Sequence, residues 1–326
     1  MKSHPSRAQF LAGAGAASVA GRFALAPRAA GAVSLVLVGK SNWLFPAWES
    51  LTDAGEPGIT RALDTIAEAN RLFAAHGVGL LVVIAPLKAR LYQAQLPANV
   101  TLSDPVRTRY DRLLMQAKAR GIATFDAAAA VAAVSRDGHL SFYRTDVHWT
   151  AWSAEAAATA AAHAIGETWP QPAVAGGGAV LGDWITQHHV GDLAALLPAP
   201  VQAAIGEEAF VVRKPAAGAG LLGAADVRIQ TVGNSFVGPY LGFTQKLSNV
   251  LAQPVGLTWK TGDTGPWKVL LDYVESTGFK QRPRVIVWQF LEGQMMYGPT
   301  APDYWIASSQ ISERAWLARL TAALAA

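Results

Sequence analysis

The chain has 326 residues, 51% of them hydrophobic and 15% charged, with a formal net charge of +4. That composition excludes a disordered chain and is enough for a large buried core. Lys and Arg are scattered rather than clustered, which leaves no nucleic-acid footprint, and the lack of Cys excludes disulfides and thiolate catalysis.

Residues 1–32 read as an export signal. Lys2 and Arg7 give a basic start, Phe10 to Ala20 is an apolar stretch too short to span a bilayer, and Ala20 and Ala32 end candidate cleavage sites. Ser6 to Leu11 is similar to a twin-arginine signal with Ala8 in place of the second Arg. Left uncleaved, the segment would serve as a membrane tether. The remainder, 33–326, is expected to form one domain.

Val33 to Val38 is a short apolar run closed by Gly39, a strand signal. Ile59, Leu63, Ile66, Leu72 and Phe73 follow helical spacing up to Gly77. Leu80 to Ile84 reads as a buried strand. Asp104-Pro105 opens a helix whose apolar face carries Val106, Tyr110, Leu113, Leu114 and Ala117, ending at Gly121. Ile122 to Phe125 is a further strand candidate, followed by an Ala-rich helix. Thr150 is placed to cap a helix running to His163 and stopping at Gly166. Residues 167–206, rich in Gly, Pro and Ala, show poor periodicity and are expected to be largely irregular. Val227 to Val232 is a strand with a helix expected after Ser235. A helix over Pro266 to Phe279, a strand over Val285 to Phe290 and a last helix from Ser312 complete the pattern. Alternating strands and helices predict an α/β fold with a mostly parallel sheet and helices on both faces. Eleven Trp are expected mainly in the core or at its rim, with sugar stacking as the alternative.

Two short segments carry chemistry. Asp146-Val147-His148-Trp149 offers a carboxylate and an imidazole two residues apart. If the segment is extended, both side chains project to one side. Gly233-Asn234-Ser235-Phe236 puts a serine just after a buried strand, at the carboxyl edge of the sheet, where sites form in such folds. Together they would supply a nucleophile, a base and a group to orient the base. Free N–H groups in the first turn of the expected helix would face a developing oxyanion, and Trp149 would shield the imidazole from water. Each segment alone is usually just a turn or a surface pair. A metal site built from Asp146 and His148 with His188 and His189 is an alternative, although adjacent histidines rarely reach one ion. No cofactor motif is present.

The order of segments resembles the alginate O-acetyltransferase family, the AlgJ/AlgX type of SGNH-hydrolase-like protein. Gly39-Lys40-Ser41-Asn42-Trp43-Leu44-Phe45 is similar to its opening motif, and Pro86, Lys88, Tyr92 and Leu96-Pro97 are similar to the segment that follows. Asp146 to Thr150 matches its DxHW signature and Gly233 to Phe236 its GDSF turn, over a span from about Val38 to Phe290. The resemblance implies a three-layer SGNH-like fold with permuted chain order, the Asp-His pair preceding the serine. It implies catalytic Ser235, His148 and Asp146 and an acetyl-serine intermediate. Periplasmic transfer to an exported polysaccharide is expected, with a membrane-bound O-acyltransferase as acetyl source and a polymer-secretion complex as further partner. Alginate, cellulose or a similar exopolysaccharide would serve as acceptor. An acetylesterase with the same triad, or a non-catalytic polysaccharide-binding scaffold, are the alternatives. Asn234 stands where the family more often has Asp, and Gln289 where it often has Glu. The short stretch after Phe290 points to a single-domain member.

Overall fold

The computed structural model describes residues 35–174, 177–215 and 227–326; the segment 1–32, read above as an export signal, lies outside them. In chain order the described strands are β1 (Val36–Val38), β2 (Leu44–Pro46), β3 (Gly79–Ala85), β4 (Ala123–Thr124), β5 (Trp184–His189), β6 (Glu208–Arg213), β7 (Ile229–Gly233), β8 (Val255–Trp259) and β9 (Val285–Leu291). Five of them form a central sheet in the order β4-β3-β9-β7-β8, and all four of its pairings are parallel.

Successive side chains of a strand point to opposite faces, so a central strand covered on both sides must be apolar throughout. In β3, Leu80, Val82 and Ile84 pack on one face with the helices Glu56–Ala75, Arg109–Ala119, Pro266–Val274 and Glu313–Ala325. Leu81, Val83 and Ala85 pack on the other with Ala127–Arg136, Ala151–Thr168 and Phe243–Leu251. The result is the expected three-layer α/β/α arrangement. Trp267, Trp288 and Trp316 are buried on the first face, and each indole N–H donates to a backbone carbonyl (of Tyr297, Pro266 and Trp267), so these three are core residues and not sugar platforms. Among the described residues no helix is long and apolar enough to cross a membrane.

Several elements differ from their sequence reading. Of the run read as a strand at Val33 to Val38, Val33 and Ser34 lie outside the described residues, and the rest carries the three-residue β1, which stands outside the central sheet and pairs antiparallel with β2. The turn between them holds Ser41 and Asn42 in left-handed conformations, φ 52° and 59°. The capped helix starts at Ala151 as read, with Thr150 Oγ1 accepting from the Ser153 N–H, but passes through Gly166 to Thr168. The stretch 167–206 is not irregular throughout. It contains β5, which pairs antiparallel with β6, and two short helices, Asp192–Ala195 and Ala199–Ile205. The helix expected over Pro266 to Phe279 ends at Val274 and gives way to a 3-10 turn over Thr277–Gln281.

Candidate active site

Ser235 stands two residues past the end of β7, a strand buried along its whole length between β9 and β8. Gly233 is required by close approach: a Cβ there would stand 2.8 Å from Gln289 Oε1 on β9. That same oxygen accepts the Asn234 N–H at 3.0 Å. Asn234 Oδ1 in turn accepts from the Phe236 N–H at 2.9 Å, and its Nδ2 donates to Gln294 Oε1 at 3.2 Å. Every polar group of Asn234 is thus used to shape the turn.

The α-helix expected directly after Ser235 is absent. Gly238, Pro239 and Gly242 divide the segment into two 3-10 turns, Ser235–Val237 and Pro239–Leu241, and the α-helix begins only at Phe243. The N–H groups of Phe236 and Val237 are used by Asn234 Oδ1 and the Asn234 carbonyl. The N–H of Ser235 itself is therefore the donor this turn leaves for an oxyanion.

Asp146 and His148 come from an irregular segment, not an extended strand. Asp146 Oδ1 accepts the His148 backbone N–H at 2.8 Å, closing a local turn, and also meets the ring Nδ1 at 2.7 Å. The opposite ring nitrogen, Nε2, lies 2.7 Å from Ser235 Oγ. Asp146 Oδ2 accepts from the Asp192 N–H at 2.8 Å. The structure thus brings the three residues named from the sequence into one continuous line of hydrogen bonds. Asp146 and His148 are buried, and Ser235 is half-buried.

Burial works against the ionised Asp146, but the charge and hydrogen bond of His148, with the N–H groups of Asp192 and His148, override it and hold its carboxyl below the ordinary range. Burial likewise pulls His148 down, while the charge and hydrogen bond of Asp146 and the charge of Asp192 leave it raised overall.

Two buried charged groups hold the Asp146 segment in place. The Lys88 ammonium donates to the carbonyls of Leu44, Arg144 and Asp146 at 2.6, 2.9 and 2.9 Å. Burial pushes its pKa down to about 7, against the opposing pull of the Asp146 and Glu208 carboxylates. From the other side, Glu208 accepts the N–H groups of Arg144 and Thr145 and the Thr145 hydroxyl at 2.6 to 2.7 Å. Trp149 does not shield the imidazole as its position suggested. It is buried against Phe236 and Phe243, and its indole N–H donates to the Phe236 carbonyl at 2.9 Å, tying the two segments together. Phe236 and Tyr240 instead flank the ring, with centroids 4.9 and 6.0 Å from it.

Among the described residues, one group gathers potential metal ligands: Asp146, His148 and Asp192. His188 and His189 are not part of it; both lie on β5, where His189 pairs with Gln187. The Nδ1 to Oδ1 distance in this group is that of a hydrogen bond, which leaves no place for an ion between the two atoms. Asp192 and Glu208 were not singled out from the sequence, and Lys88 was noticed only through the family resemblance.

The family described as ALGX, SGNH hydrolase-like domain, acetyltransferase AlgX, matches residues 36–292. The chain belongs to this family. The chain is similar to the protein of Pseudomonas putida named "Probable alginate O-acetylase AlgJ", 29% identical over 277 residues, a match spanning 79% of this chain and 69% of that protein. The protein of the same name from Pseudomonas aeruginosa is 29% identical over 319 residues, or 88% of this chain and 75% of that one. Among solved structures, the O-acetyltransferase domain of Pseudomonas putida AlgJ superposes with a TM-score of 0.69 at 26% identity, covering 88% of this chain and 98% of that domain. Pseudomonas aeruginosa AlgX has a TM-score of 0.59 at 17% identity over 87% of this chain and 67% of that one, a likeness of fold. As a member of the AlgX family, this chain is an O-acetyltransferase with the SGNH-like α/β fold.

Proposed function

We propose that this O-acetyltransferase works in the periplasm as a serine acyl-enzyme, with Ser235 as nucleophile, His148 as general base and Asp146 as the carboxylate that orients the base. Ser235 Oγ attacks the carbonyl carbon of an acetyl donor while His148 Nε2 takes its proton. The tetrahedral intermediate collapses, the donor's leaving group departs with that proton, and acetyl-Ser235 remains. A sugar hydroxyl then attacks the acetyl carbon and gives its proton to His148, which returns it to Ser235 Oγ as the acetylated sugar leaves. Asp146 fixes the ring so that Nε2 faces the serine, and it stabilises the imidazolium of each step. The Ser235 N–H faces the developing oxyanion.

The observation that carries this reading is the unbroken line from Asp146 Oδ1 through the imidazole to Ser235 Oγ, 2.7 Å at each link. The relatives named as alginate O-acetylases support a polysaccharide acceptor. Alginate, cellulose or a similar exopolysaccharide is the proposed class. A membrane-bound O-acyltransferase that hands over the acetyl group, and a polymer-secretion complex, are the proposed partners, with residues 1–32 directing export or tethering the chain.

The test is the purified full chain given an activated acetyl ester with and without oligosaccharide. Acetyl should appear on the sugar, and Ser235→Ala should lose at least about a thousandfold in turnover. Acetyl release to water that never shifts onto sugar would make the protein an esterase, and unchanged turnover in Ser235→Ala would refute the acyl-enzyme.

A further inference from the structure

Gly191 and Asp192 approach the Asp146–His148 pair more closely than a side chain at residue 191 permits: a Cβ there would stand 2.4 Å from the Thr145 carbonyl oxygen. This approach delivers two groups. The Asp192 N–H reaches Asp146 Oδ2 at 2.8 Å, and the Asp192 carboxylate places Oδ2 3.6 Å from His148 Nδ1. The side chains of His148 and Asp146 are 5% and 6% exposed, whereas that of Asp192 is 38% exposed. The imidazole therefore faces two carboxylates on its Nδ1 side, one dry and hydrogen-bonded, the other wet and at ion-pair distance.

We propose that Asp192 is a second positioning carboxylate for His148, adding negative charge beside Nδ1 when the proton of Ser235 arrives at Nε2. The proposal rests on the serine acyl-enzyme reading above. No bond is made or broken at Asp192. The imidazolium keeps its Nδ1–H on Asp146 Oδ1, and Asp192 acts through charge, because 3.6 Å is too long for a hydrogen bond but within reach of an ion pair. Partial burial and the charge of Asp146 push the Asp192 carboxyl up to about 6, so it is still ionised in the range above 6.5 where the imidazole takes its proton.

Tyr240, on the turn after Ser235, and Tyr143, ahead of Asp146, have phenols raised by burial and stay neutral in that range. Lys88 sits on the Asp146 carbonyl, and Glu208 on the N–H groups of Arg144 and Thr145. Asp192 is the partly exposed charge of the set, and its side chain can be altered while its backbone N–H to Asp146 is kept.

That separation makes the test. Asp192→Asn and Asp192→Ser retain the backbone donor and lose the carboxylate. Two readouts are taken on the full chain: the pH profile of kcat/KM with an activated acetyl ester, and the titration of the His148 ring by NMR, assigned with His148→Gln. Both variants are expected to melt like the wild type, to lose about tenfold in kcat, and to titrate His148 at lower pH than the wild type. The acid limb of the rate profile, which reports the proton on His148, is expected to move to lower pH with the ring titration. A His148 titration identical in wild type and variants overturns the proposal, as does a rate loss with an unmoved profile, which is what a merely structural role predicts. If the wild type turns over no ester and the ring titration still moves, the charge coupling stands and the acyl-enzyme reading is what fails.

Discussion

Replacing Lys88 by Met tests whether the Asp146 segment is held by a buried charge. Lys88 is 1% exposed and donates to three carbonyls. The Arg144 carbonyl would keep a second donor, the Leu44 N–H at 3.0 Å. The carbonyls of Leu44 and Asp146 would each lose the donor that Lys88 provides. A buried polar group left without a partner costs about 1–3 kcal/mol, so two cost about 2–6 kcal/mol. Methionine nearly matches the lysine chain in length, so no cavity is added, and removing an ammonium from the interior returns part of the loss. A net destabilisation of about 2–4 kcal/mol follows from these two effects. In a chain of this size that lowers the melting temperature by about 3–6 °C. The Asp146 backbone would also loosen, so acetyl-ester turnover should fall more steeply than stability at a temperature where both proteins are folded. Calorimetric melting and initial rates measure the two effects. A variant that melts within about 1 °C of the wild type and turns over ester normally would show that the three carbonyls do not need the ammonium, and the clamp argument would be wrong.

Two further outcomes follow from the hydrogen bonds. Asn234→Asp places a carboxylate oxygen where Nδ2 now donates to Gln294 Oε1, and Gln294 cannot turn around without giving up its bonds to the Leu291 N–H and the Gly262 carbonyl. The substitution should therefore destabilise this chain by about 1–3 kcal/mol in denaturant unfolding. His148 titrates above the ordinary imidazole value, and its neutral form is the base, so turnover should rise with pH through a range above 6.5. Because the folded chain holds that proton more tightly than the unfolded one, the stability His148 contributes is complete below 6.5 and is lost as pH rises through the folded pKa. Activity and stability should thus move in opposite directions across the same window, which paired rate and unfolding measurements would reveal.

The central layers were legible because β3 is a continuous apolar run, β9 is apolar except for Gln289, both lie between Gly or Pro signals, and the helix Glu56–Ala75 has a regular apolar stripe. β8 was missed because Val-Gly-Leu-Thr-Trp is short, half-buried and interrupted by Gly256. Asp146, His148 and Ser235 stood out because the first two are close in sequence and the third follows a strand. Glu208 and Asp192 did not, because what they do is nonlocal: Glu208 binds backbone groups 63 and 64 positions away, and Asp192 reaches Asp146 across 46. Both lie in or beside the Gly- and Pro-rich stretch read as irregular, where no periodicity marks a residue as facing inward. The turn after Ser235 was misread for a different reason. Phe236, Val237, Leu241 and Phe243 have helix-compatible spacing, but Pro239 and the two glycines around it prevent an uninterrupted helix.

The serine and its base are 87 residues apart in the chain, and the indole of Trp149 bridges their segments within the hydrophobic layer itself. A molecule arrested before that layer condenses has an ordinary alcohol at position 235, no more reactive than any surface serine. Chemical labelling of that alcohol by an acylating or sulfonylating reagent would therefore report maturation of the whole molecule, and a population that labels slowly would be immature rather than merely inhibited.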